Sequence, residues 1–116
     1  MASPTTRSIA YLRDKGYEVD VVERWISFGG KGGIRKDFGG FADLIAYNAD
    51  HTLAIQVTTK ENVNARIKKV KGMETLDKWL SAHHRHFIVH GWAKRGERGK
   101  RKTWELDIHP ILPNTI

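Results

Sequence analysis

The sequence predicts a mixed α/β fold in the order helix, three strands, helix, two strands. Three observations carry this. Residues 6–15 and 62–82 place apolar side chains at helical spacing. Five other segments alternate or run apolar over strand lengths. Three of those strands follow one another without a helix between them, which excludes a purely alternating parallel sheet. At 116 residues the chain is sized for one domain, taken as residues 1–116.

Ser3 or Thr5 caps the first helix, Ile9, Ala10 and Leu12 face inward, and Gly16 stops it. Residues 17–26 then alternate, with Tyr17, Val19, Val21 and Trp25 on one face. Glu23 is the odd carboxylate on that face. Residues 28–40 hold six glycines with Lys31, Arg35 and Lys36, and predict a mobile basic loop. The run GGKGG has neither the spacing of a phosphate-binding loop nor that of a dinucleotide fingerprint.

Residues 41–47 (FADLIAY) predict the second strand, with Asp43 in its middle, and residues 52–59 (TLAIQVTT) the third. A short connection at residues 48–51 makes them a hairpin. In the third strand Leu53, Ile55 and Val57 point one way, and Gln56, Thr58 and Lys60 the other. The second helix buries Ile67, Val70, Met73, Leu76 and Leu80, with a kink or break expected at Gly72. Strands at 86–93 and 103–108 follow, and Pro110 and Pro113 end regular structure.

Composition narrows the function classes. Twenty Lys and Arg against thirteen Asp and Glu give +7, which favours a polyanionic partner, nucleic acid before an acidic membrane surface. The absence of cysteine excludes disulfides and thiol nucleophiles. No apolar run reaches a membrane span, and no signal-peptide pattern opens the sequence, so a cytoplasmic location is expected. Residues 60–71 carry five basic side chains against Glu61, and residues 94–102 six against Glu97. Together they hold +9, so the remainder is slightly acidic. Lys36, Arg66, Lys69, Lys94, Arg95, Arg98, Lys100 and Arg101 are the candidate phosphate contacts, with Trp92 and Trp104 placed to stack on bases. His83, His84 and His86 have no spacing that suits a zinc site, and His90 reads as structural.

Asp43 faces the polar row Gln56, Thr58, Lys60 across one hairpin. Oxygen ligands for a hard cation beside a positive side chain are what phosphodiester hydrolysis requires. The ordered set Asp43-Leu44-Ile45-Ala46, Ala54 to Thr58, Arg66 with Lys69, and Val89-His90-Gly91-Trp92 through Trp104-Glu105 resembles the PD-(D/E)xK nucleases. That superfamily includes restriction enzymes and Holliday junction resolvases, and the likeness is nearest to its small phage- and prophage-type members. It covers residues 8–108 and implies a restriction-endonuclease-like mixed sheet flanked by helices.

The resemblance implies a metal-dependent DNA endonuclease of phage or prophage DNA metabolism using Mg2+ or Mn2+. Asp43 matches the metal-binding aspartate, Gln56 the (D/E) position and the Val57 carbonyl the backbone ligand. Glu23 matches the additional upstream acid, with Asp37 its rival. Gln56 keeps an oxygen but loses a charge, and Thr58 stands where the family has lysine. Lys60, two residues on and about 6.6 Å along the strand, is the expected substitute, with Arg66 or Lys69 as alternatives. DNA is the expected partner, and a homodimer follows from the resemblance to resolvases. The alternatives are a nucleic-acid-binding module that has lost cleavage, and an interaction protein with a basic face.

Overall fold

A computed structural model describes residues 2–96 and 98–113. Helix α1 (Pro4–Asp14) begins at Ser3, whose Oγ accepts the Thr6 N–H at 3.1 Å. It ends where Gly16 takes φ +91°, and Ser8 with Leu12, rather than Ala10, is buried from it. Strand β1 (Glu18–Val21) follows, then β2 (Arg24–Ser27), β3 (Gly33–Lys36), β4 (Leu44–Tyr47) and β5 (Thr52–Thr59). Helices α2 (Val63–Val70) and α3 (Glu74–Leu80) lead to β6 (Arg85–Arg95) and β7 (Thr103–Ile111).

Five strands form one mixed sheet in the order β1-β4-β5-β6-β7, with β5 and β6 parallel and the other neighbours antiparallel. The α/β class expected from the sequence is therefore present. Both faces of β5 are covered. Leu53, Ile55 and Val57 join Leu12 of α1, Val19, Leu44 and Trp92 in one core. Ala54 joins Val63, Val70, Leu76, Leu80, Phe87 and Val89 in the other, beneath α2 and α3. A strand covered on both faces loses the polar alternation of a half-exposed one. The expected second-helix stripe packs as read, and Gly72 at φ +83° breaks that helix in two.

Four expectations are corrected. The continuous strand over 17–26 is interrupted at Val22 and Glu23, because both backbone N–H groups donate to the Asp43 carbonyl, at 2.9 and 3.3 Å. The expected mobile loop contains β3, which pairs with β2 as a separate two-stranded ribbon. Asp43 immediately precedes β4 instead of lying inside it, although its N–H still donates to the Ile55 carbonyl at 2.8 Å. Pro110 belongs to β7, which tolerates it because an edge strand has one side free of ladder bonds.

Parallel β5 and β6 share one end, with Thr59 opposite Trp92. Antiparallel β4 and β7 begin at that same end, so Asp43, Lys60, Lys94, Trp104 and the turn joining β6 to β7 gather at one rim of the sheet.

Candidate metal centre and nucleic-acid surface

The break between β1 and β2 builds the centre. By taking two N–H groups on its carbonyl, Asp43 draws Glu23 alongside itself, and the return from β3 delivers Asp37. Ligand oxygens of Glu23, Asp37 and Asp43 lie within 4.8 Å of one another, the only such group of three or more acidic or histidine ligands among the described residues. Both carboxylates weighed for the upstream position are thus present together, Glu23 and Asp37 alike.

Asp43 is 6% exposed, and its Oδ2 accepts the Val57 N–H at 2.9 Å and Gln56 Nε2 at 2.8 Å. Burial pushes its carboxyl up to about 7; the Val57 N–H works against that, and the Asp37 and Glu23 charges add to it. A strand residue directs its N–H and C=O to the same edge, so the Val57 carbonyl also leaves β5 on the Asp43 side. Gln56 is 2% exposed, and its Oε1 has no hydrogen-bond partner. Its amide turns nitrogen, not oxygen, toward Asp43, so here it holds the aspartate and is not arranged as a ligand beside it. Three convergent carboxylates, one made costly to ionise by burial and like charge, fit a hard divalent cation that would neutralise them.

The expected lysine substitute is corrected. β5 ends at Thr59, so Lys60 leaves the Gln56–Thr58 face and opens a 3-10 turn, Lys60–Asn62. It is exposed, lines a cleft with Trp92, Lys94, Arg95 and Trp104, and its charge acts on Asp107 of β7. Thr58 stays on the strand face and is buried. The cations around the carboxylates come instead from the ribbon. Arg35 Nη1 lies 3.4 Å from Glu23 Oε1, and Arg24 and Lys36 line a cleft with Asp37. Sequence reasoning misses Arg24 and Arg35 as site residues, because only the β2–β3 register brings them there.

The phosphate contacts expected farther along the rim fall into two groups. Lys94, Arg101 and Lys102 line an open cleft of about 620 Å3 with Arg7 and Trp104, and among the described residues no carboxylate borders it. The Arg7 guanidinium sits 5.0 Å from the Trp104 ring and Lys94 Nζ 6.0 Å. Arg98 and Lys100 are exposed in the same turn, whose Glu97 lies outside the described residues. On α2, Lys69 is exposed and Arg66 half-buried. Arg95 is corrected: it is clamped by Asp107 at 2.9 and 2.7 Å and reaches Glu105 at 3.5 Å, so its charge is already matched.

Behind this surface lies a buried polar chain. Trp92 Nε1 donates to Ser8 Oγ at 2.8 Å, and Ser8 Oγ is 2.8 Å from His90 Nδ1. Burial holds the His90 imidazole down to about 4, so it is neutral and free to accept the Ser8 hydroxyl proton. This is the structural role expected for His90. His51 and His86 meet at 3.1 Å between ring nitrogens at the opposite end of the sheet.

No family model matches the chain, and neither a curated protein nor a solved structure does.

Proposed function

We propose that this chain is a metal-dependent deoxyribonuclease on a restriction-endonuclease-like layout, with Glu23, Asp37 and Asp43 holding Mg2+ or Mn2+. The observation that carries the reading is the convergence of these three carboxylates beside the basic β2–β3 ribbon. When bound, such a cation polarises a phosphodiester and makes its attacking water easier to ionise.

The protein's own groups supply the rest. Val57 N–H and Gln56 Nε2 fix Asp43 Oδ2, which leaves Oδ1 as the oxygen offered to a ligand. The Val57 carbonyl stands on the same side as a further oxygen donor. Arg24, Arg35 and Lys36 bring positive charge to the phosphate, the work first expected of Lys60, with Arg66 or Lys69 as alternatives. The Trp104 cleft and the turn after β6 hold flanking phosphates.

The test is cleavage of supercoiled, branched and single-stranded DNA with Mg2+, with Mn2+ and with chelator. Cation-dependent cleavage that Asp43→Asn abolishes, with salt-sensitive binding retained, supports the reading. The rival is a binding module of the same layout that has lost cleavage, favoured by the buried Thr58 at the lysine position. Binding without cleavage of any of these substrates under either cation establishes that rival.

A further inference from the structure

The β2–β3 ribbon stands apart from the five-stranded sheet and carries chemistry that neither core absorbs. Between Arg24 and Lys36 the sequence has four basic side chains and no acidic one. Trp25, Phe28 and Ile34 are 61%, 56% and 50% exposed on the same short segment. The cross-strand pairs Arg24–Lys36 and Ile26–Ile34 share one face, and Trp25–Arg35 the other, so both faces combine cation and apolar surface. The Trp25 indole lies against the backbone of Gly33, where a Cβ would meet the ring at 2.8 Å. That packing holds the ring against the ribbon while the residue keeps 61% of its surface exposed.

A lone two-stranded ribbon is marginal in water, and one that exposes aromatic side chains gains by laying them on something. Its charge selects a polyanion. Its roots select the position: Glu23 precedes Arg24, Asp37 follows Lys36, and these two flanking acids are members of the carboxylate centre. Four residue pairs extend about 13 Å, the length of three to four base steps.

We propose that the β2–β3 ribbon is a nucleic-acid-binding arm that grips the strand beside the carboxylate centre and stacks Trp25 and Phe28 on unpaired bases. The arm therefore favours substrates with single-stranded or splayed nucleotides, such as branches and flaps, over continuous duplex. The placement of the scissile bond rests on the nuclease reading; the binding preference does not.

The experiment is fluorescence anisotropy with the full chain in chelator, using labelled single-stranded, duplex and branched oligonucleotides of one sequence at two salt concentrations. Trp25→Ala with Phe28→Ala should weaken single-strand and branch binding at least tenfold, and duplex binding less than threefold, since base–aromatic stacking is sequence-tolerant and needs an open face. Trp25→Phe with native Phe28 should retain most of the affinity, which separates stacking from misfolding. Lys31→Ala should weaken all three alike and flatten the salt dependence. Equal loss on duplex and single strand, or none, overturns the arm. So does unchanged DNA affinity accompanied by loss of self-association, or by loss of binding to anionic phospholipid vesicles. Because chelator removes catalysis, a protein that never cleaves yet shows the single-strand preference keeps the arm and discards the nuclease. The converse result keeps the nuclease alone.

Discussion

Gln56 donates through Nε2 to Asp43 Oδ2 at 2.8 Å and leaves its own Oε1 without a partner. The Gln56 amide is thus a donor to the aspartate. A glutamate there is nearly isosteric, yet it replaces that donor by a second buried carboxylate.

Gln56→Glu should therefore destabilise the cation-free protein by about 1–3 kcal/mol at pH 8. The loss should shrink at pH 5, where a shared proton relieves the pair. Mn2+ should raise the melting temperature of the variant more than that of the parent. Thermal melts at both pH values, with and without Mn2+, measure this; a variant as stable as the parent in chelator at pH 8 contradicts the donor role.

His90 predicts the acid limb of the stability curve. Its folded value is lowered to about 4, so between pH 6.5 and 4 the unfolded chain binds the extra proton. Its contribution is intact above pH 6.5 and is lost as pH falls, to a total of about 3 kcal/mol. Asp43, raised to about 7, acts in the opposite sense: it favours the fold at low pH and loses that contribution as pH rises to 7. The difference between parent and His90→Asn isolates the histidine. In urea melts the variant's deficit should narrow as pH falls from 7 to 4, and a constant deficit would place the ionised imidazole in the fold.

Nucleic-acid affinity should depend on the open Trp104 cleft and not on Arg95. Lys94→Ala, Arg101→Ala and Lys102→Ala together should weaken binding to unrelated duplexes and lower the salt slope by about 0.9 for each phosphate no longer neutralised. Arg95→Ala removes a guanidinium already held by Asp107 and should leave the slope nearly unchanged. Filter binding over a salt series checks both, and an equal slope change for Arg95→Ala would mean that Asp107 releases it to DNA.

A homodimer is expected if the protein cuts both strands of a duplex or junction, because each chain carries one carboxylate centre of this kind among its described residues. Light scattering at micromolar concentration, alone and with branched DNA, should show two chains per complex. A monomer in both conditions, joined to nicking of one strand, would assign single-strand cleavage.

By itself the sequence determined the elements with strong local patterns. The third strand over residues 52–59, the Gly16 helix stop, the break at Gly72 and the buried stripe from Ile67 to Leu80 follow from periodicity and glycine chemistry within a few residues. The pairing of Asp43 with Gln56 was legible too, because adjacent strands joined by a short turn have few registers. Tertiary structure decided what depends on distant partners. The Asp43 carbonyl ends β1 by taking the N–H groups of Val22 and Glu23, which no alternation pattern reveals. The same bend closes the carboxylate group and turns a glycine-rich stretch into a ribbon. Whether a cation is free or matched was decided in the same way. Arg95 and Lys94 are neighbours in one basic run, yet strand alternation and the β6–β7 register give Arg95 to Asp107 and leave Lys94 beside Trp104. Composition counts charges, and only the fold assigns their partners.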